Sequence, residues 1–296
     1  MLATKWLEHK DHLMNRHPTL YVSAKLDGIR CVATKNGLYS RLGVRFDSCG
    51  HVLDAAQSML RSMEKNHSTS RGWALDGELY IDIGQKSIDQ FCFDSVVTAV
   101  KKQSTKATSE DLKLQATLKF HVFDVIDLAS PTRLPFVDRR DIISDYVPRR
   151  GSGPLSAVEQ TKVKSEEELE RSLDNYLNKD YEGLVVRTLD GKYEIGRRSK
   201  SLLKYVPVME QEFSVYGTVA HTRLPASLGT LICATPNGRK FTSDLIVDDA
   251  TRRKWWTKRH ELIGKKATVR FQRLTSAGVP RFPKVKSIRN FMKMRV

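Results

Sequence analysis

The chain is poor in cysteine. Cys31, Cys49, Cys92 and Cys233 are the four in 296 residues. No two of them form a C-x-x-C pair, which argues against a structural zinc site. Scattered thiols also give no disulfide framework and fit a reducing compartment. Long apolar runs are missing as well. No stretch of 18 or more apolar residues occurs, so no membrane-spanning helix is expected. The opening MLATKWLEHKDH has no uninterrupted apolar core, so no signal peptide is expected and an intracellular setting is. No internal repeat is found. Negative charge is in deficit: 34 Asp+Glu stand against 50 Lys+Arg, a net +16. A surplus of that size points to a polyanionic partner, of which nucleic acid is the usual one.

What is present reads as a globular chain. Hydrophobic residues make up 40% and charged residues 28%, enough over this length for two cores. Residues 20–25 and 29–34 read as strands joined by a turn at Asp27-Gly28, and 37–43 as another short strand. Residues 51–66, 91–102 and 136–147 read as helices, the last stopped by Pro148. "GWALDGELYID" (72–82) reads as two strand pieces, and 103–117 as a polar loop with at most one helical turn. Residues 118–128, 181–189 and 201–208 read as strands. Ser165 followed by Glu168 is a capping box for a helix over 165–179. From about residue 209 short strands separated by turn signals dominate, with one helix at 248–263. That pattern predicts a small Greek-key barrel. The boundary is placed near 206–210, giving domains 1–207 and 208–296, with those boundary residues as a hinge.

The chemistry starts at Lys25. "KLDGIR" places Lys25, Asp27, Gly28 and Arg30 as K-x-D-G-x-R at the end of an apolar strand. A lysine in that company reads as a nucleophile, with nearby cations such as Arg30 available to lower its pKa and to neutralise a phosphate. Further segments carry charge in apolar strand contexts: "SRLG", "LDGELY", "FHVFDV", "EGLVVR", "SLLKYV" and "PRFPKVKSIR".

Taken in this order, these segments resemble the motifs of the covalent nucleotidyltransferases, and within them the small viral and phage-type ATP-dependent DNA ligases. The resemblance covers essentially the whole chain. It implies an α+β fold: an adenylyltransferase domain of ATP-grasp-like antiparallel sheets with helices, then an OB-fold barrel. It implies ATP and Mg²⁺ (or Mn²⁺) as cofactors, nicked duplex DNA as partner and a monomeric enzyme. Lys25 would be the nucleophile, Asp27 would orient it or assist at the nick, and Lys204 would meet the nucleotide phosphate. Arg30, Arg41, Glu78, Phe123 and Arg281 would join Lys25 and Lys204 in binding ATP. Glu78 and Glu182 would hold the metal. Arg41, Arg197, Lys284 and Lys286 would contact nucleic acid.

Each assignment also has a physical sense. Carboxylates suit Mg²⁺ where phosphate charge must be offset. An aromatic face stacks on a base at little cost in specificity. On the residues alone, Phe123 fits a core position equally well, Glu182 a structural ion pair and Arg41 a strand-surface cation. Trp255 and Trp256 read as core and edge of the barrel helix. The chain also departs from the family pattern. Val206 stands where a second lysine is usual after Lys204, and Asn290 stands near the end without the usual acid. RNA ligases and mRNA-capping guanylyltransferases share the lysine motif and the barrel. A non-catalytic nucleic-acid-binding protein of this fold is the rival from another class.

Overall fold

The computed structural model describes residues 1–67, 69–81, 91–149, 153–179, 181–275 and 277–289. Among them the strands are β1 (Leu2–Lys5), β2 (Leu20–Ala24), β3 (Ile29–Thr34), β4 (Gly37–Ser40), β5 (Arg45–Phe46), β6 (Trp73–Ile81), β7 (Leu118–Asp127), β8 (Leu155–Ala157), β9 (Thr161–Val163), β10 (Leu184–Thr188), β11 (Arg198–Tyr205), β12 (Met209–Ala220), β13 (Leu228–Ala234), β14 (Lys240–Leu245), β15 (Lys266–Phe271) and β16 (Lys284–Ile288). The helices are α1 (Lys10–Arg16), α2 (Gly50–Asn66), α3 (Phe91–Lys101), α4 (Ser109–Ala116), α5 (Phe136–Tyr146), α6 (Glu166–Asn178) and α7 (Asp249–Thr257). The chain divides into two compact units between Tyr205 and Val206. No described helix is long and apolar enough to cross a membrane.

The first unit holds two sheets, β1-β11-β10-β2-β9 and β5-β4-β3-β6-β7-β8. Pairing is mostly antiparallel, with β1–β11 and β7–β8 parallel. Alternation along the strands decides which face each residue takes. Leu20, Val22, Leu184, Val186 and Leu203 point to one face of the first sheet. There they pack with Leu13 of α1 and with Leu169 and Leu173 of α6. On the second sheet, Cys31, Ala33, Leu75, Phe120 and Val122 pack with Val52, Ala56 and Leu60 of α2. The opposite faces meet through a smaller cluster, including Ala74, Ile126, Tyr193 and Leu202. Polar residues sit beside that cluster, and it borders the site described below.

The second unit is a closed barrel in the order β12-β13-β14-β16-β15. The β13–β14 hairpin turns at Asn237-Gly238, where Gly238 has φ +80°, the left-handed conformation this turn needs. Trp255 of α7 is buried in the barrel core and Trp256 packs at its edge.

Several local expectations are corrected. Residues 103–117 are not a loop. Thr108 and Asp111 make a reciprocal capping box and start α4. The two strand pieces expected at 72–82 are one continuous strand, β6, and Asp82 lies outside the described residues. At α6, Ser165 accepts from Glu168 N (3.2 Å), but the Glu168 carboxylate turns to Lys164 N (2.8 Å), so the box is half closed. Cys31, Cys49 and Cys233 are buried free thiols. The Cys92 side chain and the tail from Asn290 lie outside what is described.

Candidate active site

The site begins where β2 and β10 stop pairing. Their register runs from Thr188↔Leu20 to Leu184↔Ala24. One step further, Lys25 N donates to Gly183 O (2.9 Å). Lys25 and Glu182 therefore leave the sheet side by side, and Lys25 Nζ donates to Glu182 Oε2. Glu182 is buried, while a quarter of the Lys25 side chain stays exposed. Gly28 follows because the turn presses against β6. A Cβ there would run into the Leu79 carbonyl oxygen and lie 2.9 Å from Glu78 Cγ.

Lys25 opens on a cavity of about 150 Å³ between the two sheets. Ser23, Val185 and Leu202 line it from the first sheet, and Arg30, Glu78 and Phe123 from the second. Phe123 reaches it by the alternation of β7, on the face of Lys119 and His121 and opposite the core residues Phe120 and Val122. Just there the ladder carries a bulge: Asp76 pairs with Asp124 and Gly77 with Val122, which leaves Phe123 without an opposite residue on β6. Gly77 makes the bulge possible, since a Cβ there would clash with the His121 carbonyl and with the Phe120 ring. The Phe123 ring is flanked by the Arg30 guanidinium at 5.7 Å and the Arg187 guanidinium at 5.6 Å.

Those arginines are held from behind. Arg30 Nε and Nη2 donate to the two Asp76 oxygens at 2.9 and 2.6 Å, and the Tyr193 hydroxyl donates to the same carboxylate at 2.7 Å. Asp124 is fully buried between Arg139 and Arg187. Burial alone would raise its pKa, but the two guanidiniums outweigh burial and hold the carboxyl below its ordinary value. Among the described residues no guanidinium is bonded to Glu78, which accepts from the Gly28 backbone N–H. Burial pushes its pKa up to about 7, against the pull of Lys25 and Arg30. Lys204, directly across from Val185 on β11, has its pKa lowered by desolvation and then by repulsion from Lys25 and Arg198.

The structure thus brings Lys25, Arg30, Glu78, Phe123 and Glu182 together and sets Lys204 within their field. Asp27 is half-buried in the turn. Arg41, in the exposed β4–β5 turn, and Arg197, exposed ahead of β11, do not line the cavity. Arg281, Lys284 and Lys286 belong to the barrel unit. Arg281 is 9% exposed, Lys284 is exposed, and Lys286 pairs with Glu210 at 3.2 Å. Sequence reasoning missed Asp76, Asp124, Val185 and Arg187. Each lay inside a quoted segment, and a charge among apolar strand residues was the available signal for three of them.

Comparison with known proteins then decides the family. The ATP dependent DNA ligase domain matches residues 1–205, and the DNA ligase OB-like domain matches residues 221–289. The chain belongs to the ATP-dependent DNA ligase family. Among relatives, the DNA ligase of Thermococcus fumicolans is 28% identical over 219 residues, covering 71% of this chain and 36% of that protein. The DNA ligase of Enterobacteria phage T4 is 24% identical over 270 residues, covering 81% and 54%. The chain therefore spans about one third to one half of the length of these ligases. In fold it is similar to a Lig E DNA ligase described as binding DNA with a minimal scaffold, with a TM-score of 0.73, 23% identity and 98% of both chains covered.

The carboxylates beside Lys25 would suit a hard cation whose remaining ligands come from phosphate oxygens. Among the described residues no group of three or more His, Cys, Asp or Glu is placed to hold a metal alone. Glu78 and Glu182 supply two carboxylates, and burial disfavours the charged form of Glu78, which a bound cation would stabilise. Mg²⁺ takes such oxygen sets when substrate phosphates complete them.

Proposed function

We propose that this chain is an ATP-dependent DNA ligase that joins a 3′-hydroxyl to a 5′-phosphate at a nick in duplex DNA, acting as a monomer inside the cell. The observation that carries this reading is the convergence of Lys25, Glu78 and Phe123 on one cavity inside the ligase-matched unit, with Glu182 bonded to Lys25 beside it. In the first step the purine stacks on Phe123, with Val185 across the cavity. The Lys25 ammonium first gives a proton to Glu182, which already accepts from it. The neutral Nζ then attacks the α-phosphorus of ATP, the bond to the bridging oxygen of pyrophosphate breaks, and the second proton leaves to solvent as Lys25 becomes a phosphoramidate of AMP. Mg²⁺ held by Glu78 with the phosphates would offset the charge on the pentacoordinate oxygens, and Glu182 would join it once its proton has left. Lys204 supplies positive charge from the chain itself.

In the second step the nick 5′-phosphate attacks the same phosphorus and Lys25 leaves as the amine. In the third the 3′-hydroxyl attacks the 5′-phosphate and AMP departs. Asp27 orients Lys25. Arg30 is committed to Asp76, so its part is to fix the wall and the Phe123 ring. The exposed Arg41, Arg197 and Lys284 serve the DNA phosphates. Lys286 can join them, because an exposed pair such as Lys286–Glu210 is worth little and exchanges readily. The test is sealing of a nicked duplex with ATP or GTP, on DNA or RNA strands. Sealing of DNA with ATP alone supports the reading. Charging by GTP, or sealing confined to RNA, replaces it with a capping enzyme or an RNA ligase.

A further inference from the structure

The cross-strand register of the first sheet puts an unassigned lysine on the cavity face. Ser23 lies opposite Val185, Val185 opposite Lys204, and Lys204 opposite Lys5. Residues directly opposite across neighbouring strands share a face. Ser23 and Val185 line the cavity, so Lys204 and Lys5 extend the same row toward its rim. Along β1 the alternation agrees: Ala3, two residues before Lys5, also lines the cavity. The register shift between Ala3 and Thr4 is taken up on β11, between Ser199 and Leu203, so β1 keeps its regular pleat.

Two lysines directly opposite one another repel. Around Lys204 the arrangement is more cationic still, since Lys25, Arg198 and Lys5 all act on it and Glu182 is the carboxylate among its strongest influences. Arg198 is tied to the Ala3 carbonyl at 3.1 Å. Lys5 is held by Glu8 at 2.7 Å, with 69% and 54% of the two side chains exposed. Such a pair is readily exchanged for a stronger anion. Two residues along the chain from Lys204 stands Val206, which offers no charge. A polyphosphate arriving at Lys204 therefore meets an exposed, exchangeable cation directly across the strand, at Lys5.

We propose that Lys5 is a phosphate-binding residue of the adenylylation step, paired with Lys204 on the pyrophosphate portion of ATP. The assignment rests on the ligase reading above. It makes Lys5 selective for one half of the reaction: it should serve ATP and pyrophosphate, and have no part in passing AMP to the nick.

The experiment compares wild type, Lys5→Ala, Lys5→Arg and the double variant Lys5→Ala/Val206→Lys. Each is charged with saturating α-labelled ATP and desalted. It is then offered either pyrophosphate, which reverses charging, or nicked DNA, which discharges AMP. A charge-assisted contact of ordinary strength predicts that Lys5→Ala raises the KM for ATP and for pyrophosphate by about 10-fold. Discharge to the nick should keep its wild-type concentration dependence. Lys5→Arg should stay near wild type, and the added lysine at 206 should restore pyrophosphate binding. Thermal melting checks that the variants fold. An unchanged KM for pyrophosphate in Lys5→Ala overturns the assignment. So does a shift confined to the nick, which would give Lys5 to DNA. If wild type itself takes no label, the ligase reading fails first, and that result shows in the unsubstituted chain.

Discussion

Lys25 and Glu182 are 157 positions apart in the chain, and the Lys25 ammonium donates to the Glu182 carboxylate. The pairing follows from the β2–β10 ladder, which delivers both residues to the same end of the sheet. Glu182 thereby avoids a buried unpaired charge, and Lys25 is fixed at the cavity with a proton acceptor in place.

Glu182→Gln should keep the fold, because the amide oxygen can still accept from Lys25. It cannot take the proton. The rate of lysyl-AMP formation should fall by about 10²–10⁴-fold, measured by label incorporation under single-turnover conditions. A loss under threefold would remove Glu182 from the proton path.

Glu78 makes stability depend on pH. Its folded pKa of about 7 lies above its ordinary 4.5, so between those values the folded chain holds a proton that the unfolded chain releases. Stability from this group is full below about pH 4.5 and is lost as pH rises through about 7. Glu78→Gln should therefore gain on the order of 1–3 kcal/mol over wild type at pH 8 and little at pH 4.5. Urea midpoints at the two pH values check this.

Asp124 neutralises two buried guanidiniums, Arg139 and Arg187. Asp124→Asn leaves them short of charge and should cost about 3–5 kcal/mol. Because Arg187 also flanks Phe123, the same variant should raise the KM for ATP. Denaturant unfolding at neutral pH and a charging assay give the two readings.

Gly28→Ala places a methyl against the Leu79 carbonyl and Glu78. The turn carrying Lys25 must shift, at a cost of about 1–3 kcal/mol. Charging should slow more than stability falls, since Lys25 sits three residues away. The ratio of charging rate to folded fraction is the readout.

Phe123→Ala should raise the KM for ATP by about 5- to 100-fold, the worth of one base–aromatic stack. Phe123→Tyr should restore most of it. An ATP titration of charging settles the point.

Much of this was legible in the sequence because local chemistry and tertiary position agree. Lys25 sits after an apolar strand, Asn237-Gly238 marks a hairpin, and Ser165 starts α6. The expectations failed where non-local contacts decide. Residues 118–128 read as a plain strand, but the β6–β7 ladder carries a bulge at Phe123 that only pairing reveals. α4 has Leu112, Leu114 and Ala116 as its apolar residues, spaced by two rather than at helical intervals, so periodicity passed over it, and its Thr108–Asp111 box was the missed local cue. β1 pairs with β11, almost two hundred residues on, so nothing near Lys5 announced its place beside Lys204. The Arg139–Asp124–Arg187 group likewise joins three distant segments.

The most direct measurement of the central claim is label transfer at Lys25. Wild type and Lys25→Ala are incubated with α-labelled ATP and Mg²⁺, resolved on a denaturing gel, and chased with nicked DNA. Label is expected on wild type alone, released by the nick as a sealed strand appears. Label on Lys25→Ala, or none on wild type, would contradict it.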